Sequence, residues 1–120
     1  MRGVGIDIAE VDRFEQKIDD KAFLELVFTE SERQFCLNKG NKAECLASRF
    51  AAKEAYMKCI GEGWSNKAQF HEIELVKTQS GKPKLVLHGG TLSHFNQNFN
   101  QIHLSISHTK TTAVAVVIVE

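Results

Sequence analysis

The stretch from Arg49 to Gly63 constrains the fold most strongly, because it predicts one long amphipathic helix in the middle of the chain. Alanines and long unbranched side chains favour helix throughout it. Apolar residues recur at helical spacing and define one stripe: Leu46, Phe50, Met57 and Ile60. Gly61 predicts the C-cap of this helix, and Gly63 keeps the following loop open.

A second face of this helix carries Glu54 and Lys58 beside two small residues, Ala47 and Ala51. Steps of three and four residues place all four on adjacent turns, which leaves room for a ligand. An ordinary solvated ion pair between Glu54 and Lys58 is the more common explanation and stays open. Lys53 lies within the apolar stripe, where its amine either extends to water or reaches a ligand at the helix edge.

Length and charge limit the class of protein. A chain of 120 residues predicts a single domain over residues 1–120. Fifteen basic and fifteen acidic residues cancel, so no overall field favours nucleic acid or membrane partners, and any anion site must be local. No apolar run approaches the roughly 20 residues that span a bilayer. The first residues are charged too early for a signal peptide, which predicts a cytoplasmic protein.

The three cysteines, Cys36, Cys45 and Cys59, are odd in number and lack CxxC spacing. This pattern indicates neither a disulfide framework nor a zinc site. We expect free thiols in a reducing cytoplasm.

The N-terminal segment alternates in the manner of a half-buried strand. Its two faces consist of Val4, Ile6 and Ile8 on one side and Gly3, Gly5 and Asp7 on the other. Glycine within a strand often marks the close approach of a ligand or of another backbone. Asp7 is therefore either a site residue or a turn-forming aspartate at the strand end.

The remaining chain predicts helices and strands in separate clusters. The predicted elements are a helix over 11–18, a helix from a capping box at Thr29–Glu32 to about Asn38, the long helix, a strand over 70–78, a turn at Ser80–Gly81, an edge strand beginning at Pro83, a break at Gly89–Gly90, a short helix over 91–99, an alternating strand over 102–108 and a fully apolar strand over 113–119. The last strand is either central in its sheet or buried at a subunit contact. This order favours an α+β fold with a largely antiparallel sheet.

Polar residues in three distant segments suggest one site. These residues are Asp7 on the glycine face, Glu54 with the basic residues Arg49, Lys53 and Lys58 around it, and Ser107–His108 at a strand end. Two carboxylates with a local basic cluster suit Mg²⁺ and a diphosphate. A structural ion network would use the same residues, and the pattern does not choose between the two. No phosphate-binding GxxxxGK[ST] loop, dinucleotide fingerprint or HExxH motif is present.

Three motifs together resemble the holo-acyl-carrier-protein synthase family, the short bacterial 4′-phosphopantetheinyl transferases. They are Gly5-Ile6-Asp7, Arg49 to Ala55 with Lys58 and Gly61-x-Gly63, and Leu104 to Thr109. Phe28-Thr29-Glu30 and Gly81-Lys82-Pro83 also look like that family, so the resemblance covers nearly the whole chain. It implies an antiparallel sheet packed on a long central helix and shorter helices.

The resemblance implies transfer of 4′-phosphopantetheine from coenzyme A to a serine of apo-acyl carrier protein, as in fatty acid biosynthesis. It assigns Mg²⁺ to Asp7 and Glu54, and the coenzyme A diphosphate to Lys58. Arg49 and His108 would hold the 3′-phosphate side of the nucleotide, across a subunit boundary. The other residues that it assigns to coenzyme A are Lys53, Gly61, Gly63, Pro83 and Ser107. Either Glu54 or a water on the metal would take the serine proton.

The resemblance also implies a homotrimer with active sites between subunits, and docking of the carrier protein on Arg13 and Lys17. Two positions depart from the pattern. Ala9 stands where larger relatives often carry a second acidic residue, and Leu26 stands where an arginine is frequent. The rival interpretations are a non-catalytic coenzyme A or nucleotide-binding protein with the same fold, and a purely structural oligomer.

Overall fold

A computed structural model describes all 120 residues of the chain. Its helices are α1 (Val11–Glu15), α2 (Lys21–Val27), α3 (Glu30–Leu37), α4 (Lys42–Cys59) and α5 (Gly89–Asn98). Its strands are β1 (Gly3–Glu10), β2 (Ile73–Lys77), β3 (Pro83–Leu87), β4 (Ile102–His108) and β5 (Thr112–Val119). One antiparallel sheet has the order β1-β5-β4, and β2 and β3 form a separate antiparallel hairpin. The predicted α+β class is confirmed, and the apolar strand β5 is central.

Helix α4 packs across the inner face of the three-stranded sheet and forms the centre of the core. Its small residues Ala51 and Ala55 are fully buried, which allows the strands to approach closely. The glycine face of β1 lies against α4, because a Cβ at Gly5 would lie 2.5 Å from the amide nitrogen of Cys59 and closer still to the carbonyl oxygen of Ala55. The close approach that the strand glycines predict is therefore to another backbone.

The other face of β1 is apolar and exposed. Val4, Ile6 and Ile8 are 54%, 55% and 62% exposed. They lie beside Ile118, Val116 and Val114 of β5, which are only half-buried. The outer face of this sheet is thus an apolar surface that the single chain does not cover.

Several helix boundaries differ from the expectations. Helix α1 ends at Glu15 rather than near residue 18, and α2 was not expected from the sequence. The N-cap of α2 is Asp20, whose side chain accepts a hydrogen bond from the amide of Phe23. The expected strand over 70–78 begins with a 3₁₀ turn before β2, and the expected break at Gly89–Gly90 forms the start of α5.

The structure agrees more closely with the predicted helix caps than with the predicted helix boundaries. The Thr29 hydroxyl accepts from the amide of Glu32 while the Glu32 carboxylate accepts from the amide of Thr29, which is the predicted capping box. Gly61 follows α4 with a φ of 75°, a left-handed conformation that glycine adopts readily.

The prediction of three free thiols is wrong for two of them. Cys36 and Cys45 form a disulfide, with their Cα atoms 5.4 Å apart, because the short turn between α3 and α4 brings the end of one helix beside the start of the other. Cys59 is free and buried. None of the helices combines the length and apolarity needed to cross a bilayer.

Candidate active site

Asp7, Glu54 and Lys58 form one polar cluster where β1 passes α4. Asp7 follows the glycine face, so its side chain points toward the helix, where Glu54 and Lys58 are one turn apart. The Lys58 ammonium donates to Oδ1 of Asp7 at 2.9 Å. The structure therefore joins the three residues that the sequence assigned to metal and diphosphate.

The electrostatics of this cluster favour a cation. Burial raises the pKa of Glu54, and the negative charge of Asp7 raises it further, while Lys58 and Arg13 oppose the shift. The hydrogen bond from the Lys58 ammonium to Asp7 raises the pKa of Lys58, so this exposed side chain stays charged. Asp7 and Glu54 are two adjacent, partly buried carboxylates, and such a pair is stabilised by a bound positive charge.

The donor set of the cluster suits Mg²⁺ better than a metal that needs an all-protein cage. No group of three or more His, Cys, Asp or Glu side chains is placed to hold a metal. Mg²⁺ is commonly bound by one or two carboxylates, with waters and substrate phosphates in its other positions. Asp7 and Glu54 fit that pattern.

A second group of the sequence-assigned residues lines a cavity of about 200 Å³. Its lining consists of Phe35, Lys39, Asn41, Cys45, Ser48, Arg49, Leu75, Lys77, Pro83, Ile106 and His108. Arg49, Pro83 and His108 therefore meet here, although they come from α4, β3 and the end of β4. The cavity lies between one side of α4 and the β2–β3 hairpin.

Positive charge dominates this cavity. The Arg49 guanidinium lies 4.6 Å from the ring centroid of Phe35, and the amines of Lys39 and Lys77 lie 4.5 and 5.4 Å from the same centroid. Arg49 is 6% exposed, and its Nε has no hydrogen-bond partner. A ring of cations with an unpartnered donor is suited to an anionic ligand. Lys39, Lys77 and Phe35 were not expected from the sequence, because they lie in the turn after α3, in β2 and in α3 and share no motif.

Lys53 does not belong to either group. Its side chain is fully buried, and its ammonium lies 2.8 Å from Oε1 of Glu32 and donates to the carbonyl oxygens of Phe70 and Ile73. Glu32 in turn accepts from the amide of Leu75, so the pair connects α3, α4 and β2. Because the ammonium has no route to a ligand, the expected contact of Lys53 with phosphate is wrong in this structure.

Three other assigned residues are exposed and lie outside the cavity. Gly61 and Gly63 are in the loop that follows α4, beyond Lys58. Ser107 pairs with Val114 and lies on the outer face of the sheet rather than toward α4.

The two basic residues assigned to carrier-protein docking are exposed near α1. The Arg13 guanidinium lies 5.9 Å from the ring centroid of Phe50, and its charge opposes the raised pKa of Glu54, which places it beside the carboxylate cluster. The Lys17 amine lies 3.6 Å from Asp20 and 5.2 Å from the ring centroid of Phe23.

The carboxylate cluster and the cationic cavity lie on opposite sides of α4. Arg49 and Lys58 point in opposite directions, because nine residues at about 100° each make two and a half turns. Asp7 pairs with Ala115 and Ala115 pairs with Ile106, so β5 separates the two sites by about 10 Å of sheet. No hydrogen bond or ion pair joins the two groups.

Comparison with known proteins gives one consistent result. The model of the 4′-phosphopantetheinyl transferase superfamily matches residues 3–117. The chain is 41% identical over 121 residues to a holo-[acyl-carrier-protein] synthase from Geobacillus sp. (strain WCH70), with 98% of this chain and 95% of that protein covered.

Solved structures give the same result. A holo-(acyl-carrier-protein) synthase from Bacillus anthracis in complex with CoA (3′,5′-ADP) matches with a TM-score of 0.81 and 39% identity, covering 98% of this chain and 95% of that one. A holo-[acyl-carrier-protein] synthase from Neisseria meningitidis matches with a TM-score of 0.91 and 29% identity, covering 100% of this chain and 98% of that one.

Proposed function

The chain belongs to the 4′-phosphopantetheinyl transferase superfamily, and we propose that it moves 4′-phosphopantetheine from coenzyme A to a serine of apo-acyl carrier protein. The family, the enzyme class and the fold class predicted from the sequence are confirmed. The observation that carries the proposal is the contact between the Lys58 ammonium and Asp7 beside Glu54, at the face of α4 that the family motif occupies.

In this proposal Asp7 and Glu54 hold Mg²⁺. The bound metal would share the charge of the coenzyme A diphosphate and so ease the departure of the nucleotide. Lys58 faces the same diphosphate. Its amine lies 2.9 Å from Asp7 and is exposed, so it is also accessible to a phosphate oxygen of the substrate.

The reaction forms a bond between the serine oxygen and the β-phosphorus of coenzyme A. The bond from that phosphorus to the bridging oxygen breaks, adenosine 3′,5′-bisphosphate leaves, and the serine proton passes to Glu54 or to a water. Such transfers depend on alignment and on neutralisation of the departing charge. The Lys58 ammonium stabilises that charge or donates a proton to the departing oxygen.

The cationic cavity receives the nucleotide end of coenzyme A. Arg49 and His108 approach the 3′-phosphate, Pro83 forms part of the wall, and Lys39 and Lys77 add positive charge around Phe35. A nucleotide with several phosphate charges suits a cavity in which most charged side chains are cations. Gly61 and Gly63 leave the loop beside Lys58 free to adjust around the substrate.

A complete active site requires two subunits. One chain holds the carboxylate cluster and the cationic cavity on opposite sides of α4, whereas one coenzyme A would contact both. The exposed apolar sheet face formed by Val4, Ile6 and Ile8 supports association, because soluble monomers seldom expose such a continuous surface. We therefore propose the homotrimer that the family resemblance implies, in which each site combines the carboxylates of one subunit with the cavity of its neighbour.

The carrier protein docks on α1. Arg13 is exposed, lies beside Glu54 and provides a cation for an acidic partner. Arg13→Ala is expected to raise the KM for carrier protein about tenfold while the KM for coenzyme A changes little. Equal increases in both KM values would contradict docking at this residue.

The role in fatty acid biosynthesis and the cytoplasmic location remain predictions from the sequence.

Intact mass spectrometry tests the reaction directly. Apo-acyl carrier protein is incubated with this protein, coenzyme A and Mg²⁺, with a matched sample containing EDTA. The expected result is a mass gain of one phosphopantetheine that is absent with EDTA. Binding of coenzyme A without any gain would support the non-catalytic rival, and a gain that persists in EDTA would contradict the metal assignment.

A further inference from the structure

Glu44 and His108 form a side-chain hydrogen bond beside the cationic cavity. Oε1 of Glu44 lies 3.1 Å from Nδ1 of His108, and their side chains are 19% and 44% exposed. A carboxylate accepts hydrogen bonds only, so Nδ1 is the donor. The contact joins the first turn of α4 to the last residue of β4.

Glu44 lies outside the cavity that His108 lines. The cavity and a neighbouring groove share Asn41, but Glu44 lines only the groove, together with Glu15, Lys42 and Lys110. Nε2 of His108 has no hydrogen-bond partner in the protein, so it is left for a ligand. Glu44 therefore does not line the cavity itself, and its link to the cavity is the imidazole ring of His108.

The fold supports Glu44 from two directions. A carboxylate in the first turn of an 18-residue helix is stabilised by the helix dipole. The backbone carbonyl of Glu44 accepts from the hydroxyl of Ser48, which itself lines the cavity. The carboxylate does not cap its own helix but extends to the end of β4.

We propose that Glu44 is a positioning residue, which fixes the imidazole of His108 so that Nε2 faces the 3′-phosphate of coenzyme A. The inference rests on the proposed function, because it takes the cavity ligand to be that nucleotide. A histidine whose Nδ1 is held by a carboxylate cannot exchange its two nitrogens by ring rotation without breaking the bond. The ring orientation is then set before the substrate arrives, which reduces the cost of ordering it.

The test compares coenzyme A with 3′-dephospho-coenzyme A, which lacks only the phosphate in question. Glu44→Ala is expected to raise the KM for coenzyme A about five- to tenfold, the effect typical of losing one ordinary hydrogen bond. The KM for the dephospho compound should stay within about twofold, and the loss should fall on KM rather than kcat. Glu30→Ala is the matched control, because Glu30 is also a glutamate in the first turn of a helix but does not contact His108.

Two further variants separate positioning from a structural role. Glu44→Gln keeps an acceptor for Nδ1 and should recover part of the discrimination between the two substrates, whereas a merely structural role predicts equal changes in both KM values. In a His108→Ala background, Glu44→Ala should have no further effect on that discrimination. An additive effect, or an unchanged KM for coenzyme A in Glu44→Ala, would overturn the inference.

The same single and double variants of Glu44 and His108 distinguish failure of the inference from failure of the proposed function. If His108→Ala lowers the preference for coenzyme A but Glu44→Ala does not, the nucleotide site stands and the role of Glu44 is rejected. If His108→Ala leaves the preference unchanged, the assignment of the cavity to the 3′-phosphate is rejected with it.

Discussion

Glu54 illustrates how a proposed metal ligand can lower the stability of the fold. Burial and the charge of Asp7 raise its pKa above the ordinary value of 4.5, so the folded protein binds this proton more tightly than the unfolded chain does. The stabilisation from this protonation is complete below the unfolded pKa and is lost as the pH rises through the folded pKa. At neutral pH the ionised carboxylate therefore destabilises the fold unless a cation is bound.

Glu54→Gln should separate activity from stability. Turnover is expected to fall more than about 100-fold, because the variant lacks a charged ligand for the metal. The melting temperature at pH 7 should rise relative to wild type, and the difference should shrink toward pH 4, where Glu54 of the wild type is protonated. Calorimetry across this pH range and the carrier-protein assay measure the two effects.

Added Mg²⁺ provides the internal control for this variant. It should raise the melting temperature of the wild type, because a ligand that binds only the folded state stabilises it, and it should not raise that of Glu54→Gln. Near-normal turnover, or an equal response of both proteins to Mg²⁺, would contradict the assignment of Glu54 to the metal.

At the level of elements, the spacing between β1 and α4 fixes the carboxylate cluster. Gly5→Ala introduces a Cβ that overlaps the backbone of α4, so the strand must move away from the helix. We expect a loss of about 1–3 kcal/mol in the free energy of unfolding. Activity should also decrease, because Asp7 lies two residues further along the displaced strand.

Gly40→Ala is the matched control for this change. A Cβ at Gly40 meets no atom within 4 Å, and its stability should stay within about 0.5 kcal/mol of wild type. Urea unfolding measures both variants. Equal stabilities for Gly5→Ala and Gly40→Ala would contradict the close packing of β1 on α4.

The connection between α3 and α4 carries the disulfide. Cys36 and Cys45 are nine residues apart, and closing a loop of that size stabilises a protein by about 2–3 kcal/mol through the unfolded chain. Reduction with dithiothreitol should lower the free energy of unfolding by that amount, whereas the double variant Cys36→Ala, Cys45→Ala should not respond. Alkylation of three thiols in the unreduced, denatured protein would contradict the disulfide.

For the whole molecule, the sequence predicts what depends on short-range pattern. The long helix, the capping box at Thr29, the left-handed Gly61 and the central strand β5 all follow from spacing and propensity within one segment. The family motifs likewise identify Asp7, Glu54 and Lys58, which the structure then brings together.

Features that depend on distant contacts were missed. The partner of Lys53 is Glu32, which is 21 positions away in the chain and which periodicity gave no reason to pair with it. The disulfide and the cation ring around Phe35 arise from the packing of α3 against α4 and β2. The sequence also did not predict that the apolar face of β1 is exposed. Alternation defines two faces of a strand but does not tell which of them the helix covers.

The proposed arrangement of subunits leads to the last prediction, because the two halves of the proposed active site lie on opposite sides of α4 within one chain. Glu54→Gln leaves the cationic cavity intact, and Arg49→Ala leaves the carboxylate cluster intact. Each variant alone should be inactive. When the two are unfolded together and refolded as a mixture, a site regains both intact halves wherever the appropriate subunits are neighbours.

In a randomly mixed cyclic trimer, about one site in four should combine an intact carboxylate cluster with an intact cavity. The refolded mixture should therefore recover about a quarter of wild-type turnover, whereas either variant refolded alone should recover none. Ile6→Lys in both chains is the control, because a charge on the apolar sheet face should prevent association and abolish the recovery. If one coenzyme A instead contacted both halves within the same chain, every site in the mixture would keep one defect and mixing would restore nothing.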